Sequence, residues 1–237
     1  MSTNKKKGGE AIRIRTVKPE IRVLGIDDGA FTPHSKELAD VVGVVFRGGY
    51  WLDGFVHTQV QVDGMDATEK LTYVIMKSPH YQQLRVIMIN GVTLAGFNVI
   101  DIVKLHRKTK LPVIAVTRDR PDFEDIRKAL HNLPQAEARW KAIQKAGRIH
   151  EVYTRDGEAP VFVHAVGISK SMTERIMKST STRSSIPEPL RVAHIIASGL
   201  RRSNGSSALM IRGNEKKFKR PGIKDERTDF ENARATV

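Results

Sequence analysis

The sequence predicts an α/β fold built on a mixed sheet, a three-stranded antiparallel meander continued by parallel strands and flanked by helices. Three observations predict it. Strand-like segments at residues 21–26, 41–46 and 51–62 follow one another with no helix between them. Two later apolar runs, 84–89 and 111–116, are unbroken, the pattern of strands buried on both faces. Segments of helical periodicity follow each run, as crossovers between parallel strands require.

The first strand runs from Ile21 to Ile26 and ends at Asp27-Asp28-Gly29. Gly48-Gly49 turns the second strand into the third, where Phe55, His57, Gln59 and Gln61 share one face and alternate with Val56, Thr58, Val60 and Val62. A helix is expected over 66–77, the strand 84–89 closes on Asn90-Gly91, and a second helix over 97–107 carries Phe97, Ile100, Val103 and Leu105 on one side. After the strand 111–116, Pro121-Asp122 opens a helix with Glu124 and Asp125 in its first turn, where the macrodipole favours acids. That helical region breaks near Pro134 and continues to about Ala146. A short strand pair over 151–153 and 161–166 and helices over 170–179 and 187–201 complete the domain, with Pro187 where a missing N–H costs least. The order β-β-β-α-β-α-β-α is that of the ribonuclease H-like fold. The expected organisation is a basic, mobile N-terminus over 1–18, one domain over 19–202, and a charged, disordered tail over 203–237.

With 237 residues, 40% of them hydrophobic, the chain buries a substantial core. Its formal net charge of +14 makes a polyanion, DNA or RNA, the natural partner, since counterion release drives Lys and Arg onto phosphates. The absence of cysteine excludes disulfides, thiolate nucleophiles and cysteine-based metal sites. No apolar run approaches the roughly 18 residues of a spanning helix, and no helix pairs a broad apolar face with a consistently basic one. A cytoplasmic protein with no membrane partner is expected.

In this topology the first strand is central and the next crossover strand lies beside it. Asp27, with Asp28 next to it, and Asn90 therefore end adjacent strands and can meet. Glu69 on the following helix is the candidate third contributor, and the turn Val166-Gly167-Ile168-Ser169 the fourth. Clustered oxygen ligands suit Mg2+ or Mn2+, and two such cations clamp the attacking and leaving oxygens in phosphodiester hydrolysis. Each residue also has a plainer reading. Asp27-Asp28-Gly29 suits a strand-end turn, Glu69 stands three residues after Asp66 as in a capping box, and Asn90-Gly91 is a common turn pair. His57, His80, His106, His150, His164 and His194 show no metal-ligand spacing, and Asp53, Asp63 and Asp101 read as structural or exposed.

Four stretches resemble endonuclease V. Val23-Leu24-Gly25-Ile26-Asp27 is similar to its first metal-binding strand. Met88-Ile89-Asn90-Gly91 is similar to the second, which normally reads Asp-Gly. Val166-Gly167-Ile168-Ser169 is similar to its Gly-His turn, and the segment from Ser185 through Pro187-Glu188-Pro189 to Ala193 to its Pro-Glu-Pro-x-Arg helix start. A closer resemblance is to an archaeal family of endonuclease V-like domains of unknown function (number ninety-nine). It rests on Gly25-Ile26-Asp27-Asp28-Gly29, on the segments 62–68 and 96–101, and on Ile186-Pro187-Glu188-Pro189-Leu190-Arg191. The resemblance implies a metal-dependent endonuclease of DNA-repair type, with Asp27, Glu69 and Asn90 as metal ligands and Asp28 as a substitute.

The departures are specific. Asn90 stands for an acid, Ile168 for a histidine, Glu69 lies one residue closer to Gly64 than the pattern asks, and the Pro-Tyr-x-Pro wedge is absent between Gln61 and Asp66. Two readings follow. One is a Mg2+-dependent endonuclease acting on DNA or RNA, including beside uracil or hypoxanthine, with Lys104, Arg107, Lys108, Arg118, Arg183 and Arg191 along the phosphates. Its site is then rebuilt with Asp28, Asp63 or Asp66, or through the amide oxygen of Asn90. The other is a non-catalytic protein that binds nucleic acid or ribonucleoprotein through charge alone.

Overall fold

The computed structural model describes residue 12 and residues 14–200. The expected tail over 203–237, and most of the expected mobile N-terminus, lie outside the described residues. Of that N-terminus, Ile12, Ile14 and Val17 pack, half-buried, against the core, so packing begins before residue 19.

One mixed seven-stranded sheet organises the domain, in the order β3-β2-β1-β4-β7-β9-β8. β1 (Arg22–Asp28), β2 (Leu38–Arg47) and β3 (Trp51–Gln61) form the antiparallel meander. β4 (Val86–Asn90) lies parallel to β1, and β7 (Val113–Thr117) parallel to β4. β9 (Val161–Val166) and β8 (His150–Val152) then add antiparallel, so the parallel part of the sheet is three strands wide. This is the ribonuclease H-like arrangement.

Strand alternation divides the core between two faces. On one face Leu24, Ile26, Ile87, Ile89 and Val113 pack under α1 (Ala67–Lys77) and α2 (Ile102–Thr109). On the other, Val23, Val86, Met88 and Ile114 pack under α5 (Lys170–Thr180) and α6 (Glu188–Gly199). Each fully buried Leu, Ile or Val contributes roughly 1.5–3 kcal/mol, which is why the central strands carry almost nothing polar except at their ends. α6 lies directly along β1. A Cβ on Gly25 would collide with the backbone of Pro189, and one on Gly29 with the carbonyl of Ala197. The two glycines let the helix rest on the strand, with Ala193 and Ala197 buried beneath it.

Two expectations need correction. The helix expected over 97–107 begins at Ile102, because Asp101 caps it by accepting from Lys104 N at 2.8 Å. Residues before the cap instead form a small hairpin, β5 (Thr93–Leu94) with β6 (Asn98–Val99). Asp66 and Glu69 make no capping box, since the Asp66 side chain accepts from Gln61 N and from Asn98 Nδ2, not from its own helix. The helical region broken near Pro134 appears as expected, as α3 (Phe123–His131), capped by Asp122, and α4 (Ala136–Lys145). No helix among the described residues is long and apolar enough to cross a membrane.

Candidate active site

Asp27, one residue before the end of β1, lies on the α6 side of the sheet and is almost wholly buried. Its neighbour in register across the parallel pair is Asn90, at the exposed end of β4. The Asn90 amide donates to both carboxylate oxygens of Asp27, each at 3.1 Å. Asp28 N donates to Oδ1 at 3.0 Å, and His194 Nδ1, from α6, meets Oδ2 at 2.8 Å. Burial pushes the Asp27 carboxyl above its usual range, opposed by the Asn90 bond and by the His194 charge. The His194 side chain is about half exposed, so its outer edge faces solvent while its inner nitrogen holds Asp27.

Asp28 points to the opposite face, where Oδ2 accepts from Ala95 N at 2.8 Å. Burial, and then the charge of Asp27, raise its pKa to about 6. Glu69 is a correction. It sits on α1, which covers the face opposite Asp27, and its exposed carboxylate pairs with Lys104 Nζ at 2.5 Å. That hydrogen bond holds its pKa below the usual value. Asp66 is committed to Asn98 and Lys70, and Asp63 caps Phe97 N at 2.8 Å. None of these acids joins Asp27. The fourth contributor is also elsewhere in sequence: Ile168 packs into the apolar core, and His194 reaches Asp27 instead.

The expected cations divide by position. Arg118, just past β7, borders the Asn90 end of the sheet. Lys104, in the first turn of α2, is held by Glu69. Arg191 is held by the buried Glu188 through a two-nitrogen contact, the shorter bond 2.7 Å. Arg107 and Lys108 occupy the last turn of α2, at the edge of the sheet where β7 begins, away from Asn90. Arg183 lies beside Thr182, whose hydroxyl bonds Gly49 O at the β2–β3 turn, also the far edge.

Beside Asn90 opens a cavity of about 410 Å3, bordered by Thr93, Phe97, Thr117, Arg118, Phe123 and His164. Its walls are fixed by buried Arg139 on α4, which donates to the carbonyls of Asp63, Gly64, Phe97 and Pro134. This clamp holds a loop with left-handed backbone at Asp63, Ala95 and Gly96. His164 is buried, and its Nδ1 has no hydrogen-bond partner. Burial lowers its pKa, opposed by bonds to the backbone of Ala146 and Gly147.

The donor set limits the metal chemistry. Among the described residues no three His, Asp or Glu side chains gather to hold an ion. Asp27 offers one carboxylate, and Asn90 would offer its amide oxygen after a half-turn of the amide. One carboxylate with an amide suits a single Mg2+ or Mn2+ that keeps water or phosphate oxygens, as Mg2+ commonly does. A two-ion clamp has too few acids.

A sequence profile described as endonuclease dU matches residues 19–201. A UPF0215 protein of Methanothermobacter thermautotrophicus is 53% identical over 196 residues, covering 81% of this chain and 95% of that protein. A crystal structure of a protein of unknown function from Archaeoglobus fulgidus is 36% identical, with TM-score 0.69, covering 77% of this chain and 99% of that one. The endonuclease V of Streptomyces avermitilis shares the fold at TM-score 0.53 and 14% identity, covering 81% of this chain and 85% of that one.

Proposed function

This chain belongs to the endonuclease dU family, and we propose that it is a divalent-metal-dependent endonuclease that hydrolyses a phosphodiester bond beside a deaminated base. The observation that carries this reading is the meeting of Asp27, Asn90 and His194 at the end of the central strand, next to an open cavity. Asp27 and, after reversal of its amide, Asn90 would hold a Mg2+ or Mn2+, which would supply a Lewis acid for the phosphoryl oxygens. Asp27 fixes the orientation of His194 through Nδ1. The outward nitrogen of His194 is then placed to hold or pass a proton at the scissile phosphate. Arg118 offsets phosphate charge at the mouth of the site.

The cavity supplies the base preference. Phe97 and Phe123 border it and offer apolar surface to a flat ring. Deamination turns a ring nitrogen of cytosine or adenine from an acceptor into an N–H donor. A site that reads this change favours uracil or hypoxanthine over the parent base, whose lone pair cannot donate to the same acceptor.

The test is a cleavage panel of single- and double-stranded DNA and RNA carrying uracil, hypoxanthine or neither. It is run with Mg2+, with Mn2+ and with chelator, on wild type and Asp27→Ala. Metal-dependent cutting at modified sites, lost in Asp27→Ala, is expected. Salt-sensitive binding that survives chelator, with no cutting by wild type, would replace this reading with that of a binding protein.

A further inference from the structure

β3 ends the sheet and pairs only with β2. Along its outer side alternate residues turn N–H and C=O away from β2, and Gln61 N, at the strand's end, donates to the Asp66 carboxylate. Proteins usually guard such an edge with Lys, Pro or charges turned inward, because an open edge is a template for another strand. Here the protection is confined to one end, at the Asp53 irregularity near the start of the strand. The strand contains no Lys, Arg, Glu or Pro, and its one acid, Asp53, is tied to Arg22 and Arg47 at 3.3 and 3.4 Å. The opposite edge of the sheet, β8, is only three residues long.

Apolar side chains flank the open edge on both faces. Phe55, 66% exposed, lies on the α6 side with Leu52 and Leu38, while Tyr73, 68% exposed, lies with Met76 on α1 behind the other face. A groove of about 610 Å3 bordered by Leu38, His57 and Tyr73, and by Glu69 and Lys70, which are paired with Lys104 and Asp66, joins the two sides around the strand. Trp51, near the start of the strand, is exposed as well.

We propose that β3 pairs antiparallel with β3 of a second copy of this chain, about a twofold axis through the strand, to give a homodimer with one continuous sheet. An uncharged strand needs no oppositely charged partner, and an antiparallel pairing of a strand with itself is self-complementary. Nucleic acid is a poor occupant, since β3 offers no cation. Strand direction reverses across the axis, so the two Asp27 sites open at opposite ends of the dimer and neither is covered.

The test is sedimentation velocity on the full chain, free of nucleic acid. Wild type is expected at twice the chain mass of 26.5 kDa. The dimer should tighten as salt rises, because screening weakens the repulsion between two chains of formal charge +14. Nucleic-acid binding moves the opposite way. Phe55→Lys and, on a separate element, Tyr73→Lys should each sediment as monomers with unchanged circular dichroism, since both side chains are exposed, and with a melting temperature that no longer rises with protein concentration. The chain has no cysteine, so single cysteines at Phe55, His57 and Gln59 report the axis cleanly. The one nearest it should cross-link two copies, and one at Glu124 should not. A monomeric wild type at about 100 µM, or a dimer that survives both lysine variants, overturns the proposal.

Discussion

Asn90 turns the nitrogen of its amide toward Asp27 and donates to both carboxylate oxygens at 3.1 Å. A cation in that place needs the amide reversed, and the exposed end of β4 leaves room for it. Asn90→Asp replaces a donor with a second acid beside a buried one. Like charges at this range raise a pKa and weaken the fold, here by roughly 1–3 kcal/mol in chelator. The same change should raise Mn2+ affinity about tenfold or more, because two carboxylates then face the ion. Titration calorimetry and thermal unfolding with and without metal read both effects. Unchanged Mn2+ affinity would remove Asn90 from the ion's surroundings.

His194 joins Asp27 through a bond that spans 167 residues of chain. Its ring is half exposed, so its removal leaves little unfilled volume. His194→Ala should therefore shift the melting temperature by no more than a few degrees and leave nucleic-acid affinity near wild type. The cleavage rate should fall by about 10²–10⁴, the usual contribution of a positioned acid or base. A loss of affinity equal to the loss of rate would make His194 a binding residue instead.

The contrast between Asn90, His194 and Glu69 shows what the sequence discloses. Asp27 and Asn90 were legible because neighbouring parallel strands end side by side, a local consequence of strand order. Glu69 misled because spacing along a chain does not say which face of the sheet a helix will cover, and α1 covers the face away from Asp27. His194 was hidden by distance in sequence. One signal was present: Gly25 and Gly29 alternate on the face of β1 that receives α6, and Ala193 and Ala197 are one helical turn apart. Small residues on both elements mark a helix lying directly on a strand, which carries the residue beside Ala193 to the strand's end. The hairpin over 93–99 was lost because the apolar residues from Phe97 to Leu105 fit helical spacing until the Asp101 cap is recognised.

Asp28 carries a cost that pH controls. Its folded pKa of about 6 exceeds its ordinary 3.8, so between these values the folded chain holds a proton that the unfolded chain has lost. Stability therefore falls as pH rises from about 4 to about 6, and the full penalty persists above. At 1.36 kcal/mol per pKa unit the penalty is on the order of 2–3 kcal/mol. Asp28→Asn keeps an acceptor for Ala95 N and loses the charge. Denaturant unfolding in chelator should show the variant more stable than wild type at pH 7.5, with the gap closing toward pH 4. Cleavage should persist, because Asp28 faces away from Asn90 and His194. Complete loss of cleavage in this variant would return Asp28 to the metal site.

Arg118 and Arg183 test where nucleic acid lies. Both are exposed, but Arg118 borders the Asn90 end of the sheet and Arg183 the β2–β3 turn at the other. Each phosphate contact adds about 0.9 to the slope of log affinity against log salt for duplex DNA and about 0.7 for a single strand. Arg118→Ala should lower that slope by about one such step and weaken binding on every sequence alike. Arg183→Ala should leave slope and affinity unchanged, although it removes the same charge from the chain. The pair separates a located contact from the general attraction of a basic protein. If both variants lowered the slope equally, the phosphates would run across the far edge as well, and a path confined to the Asp27 end would be wrong.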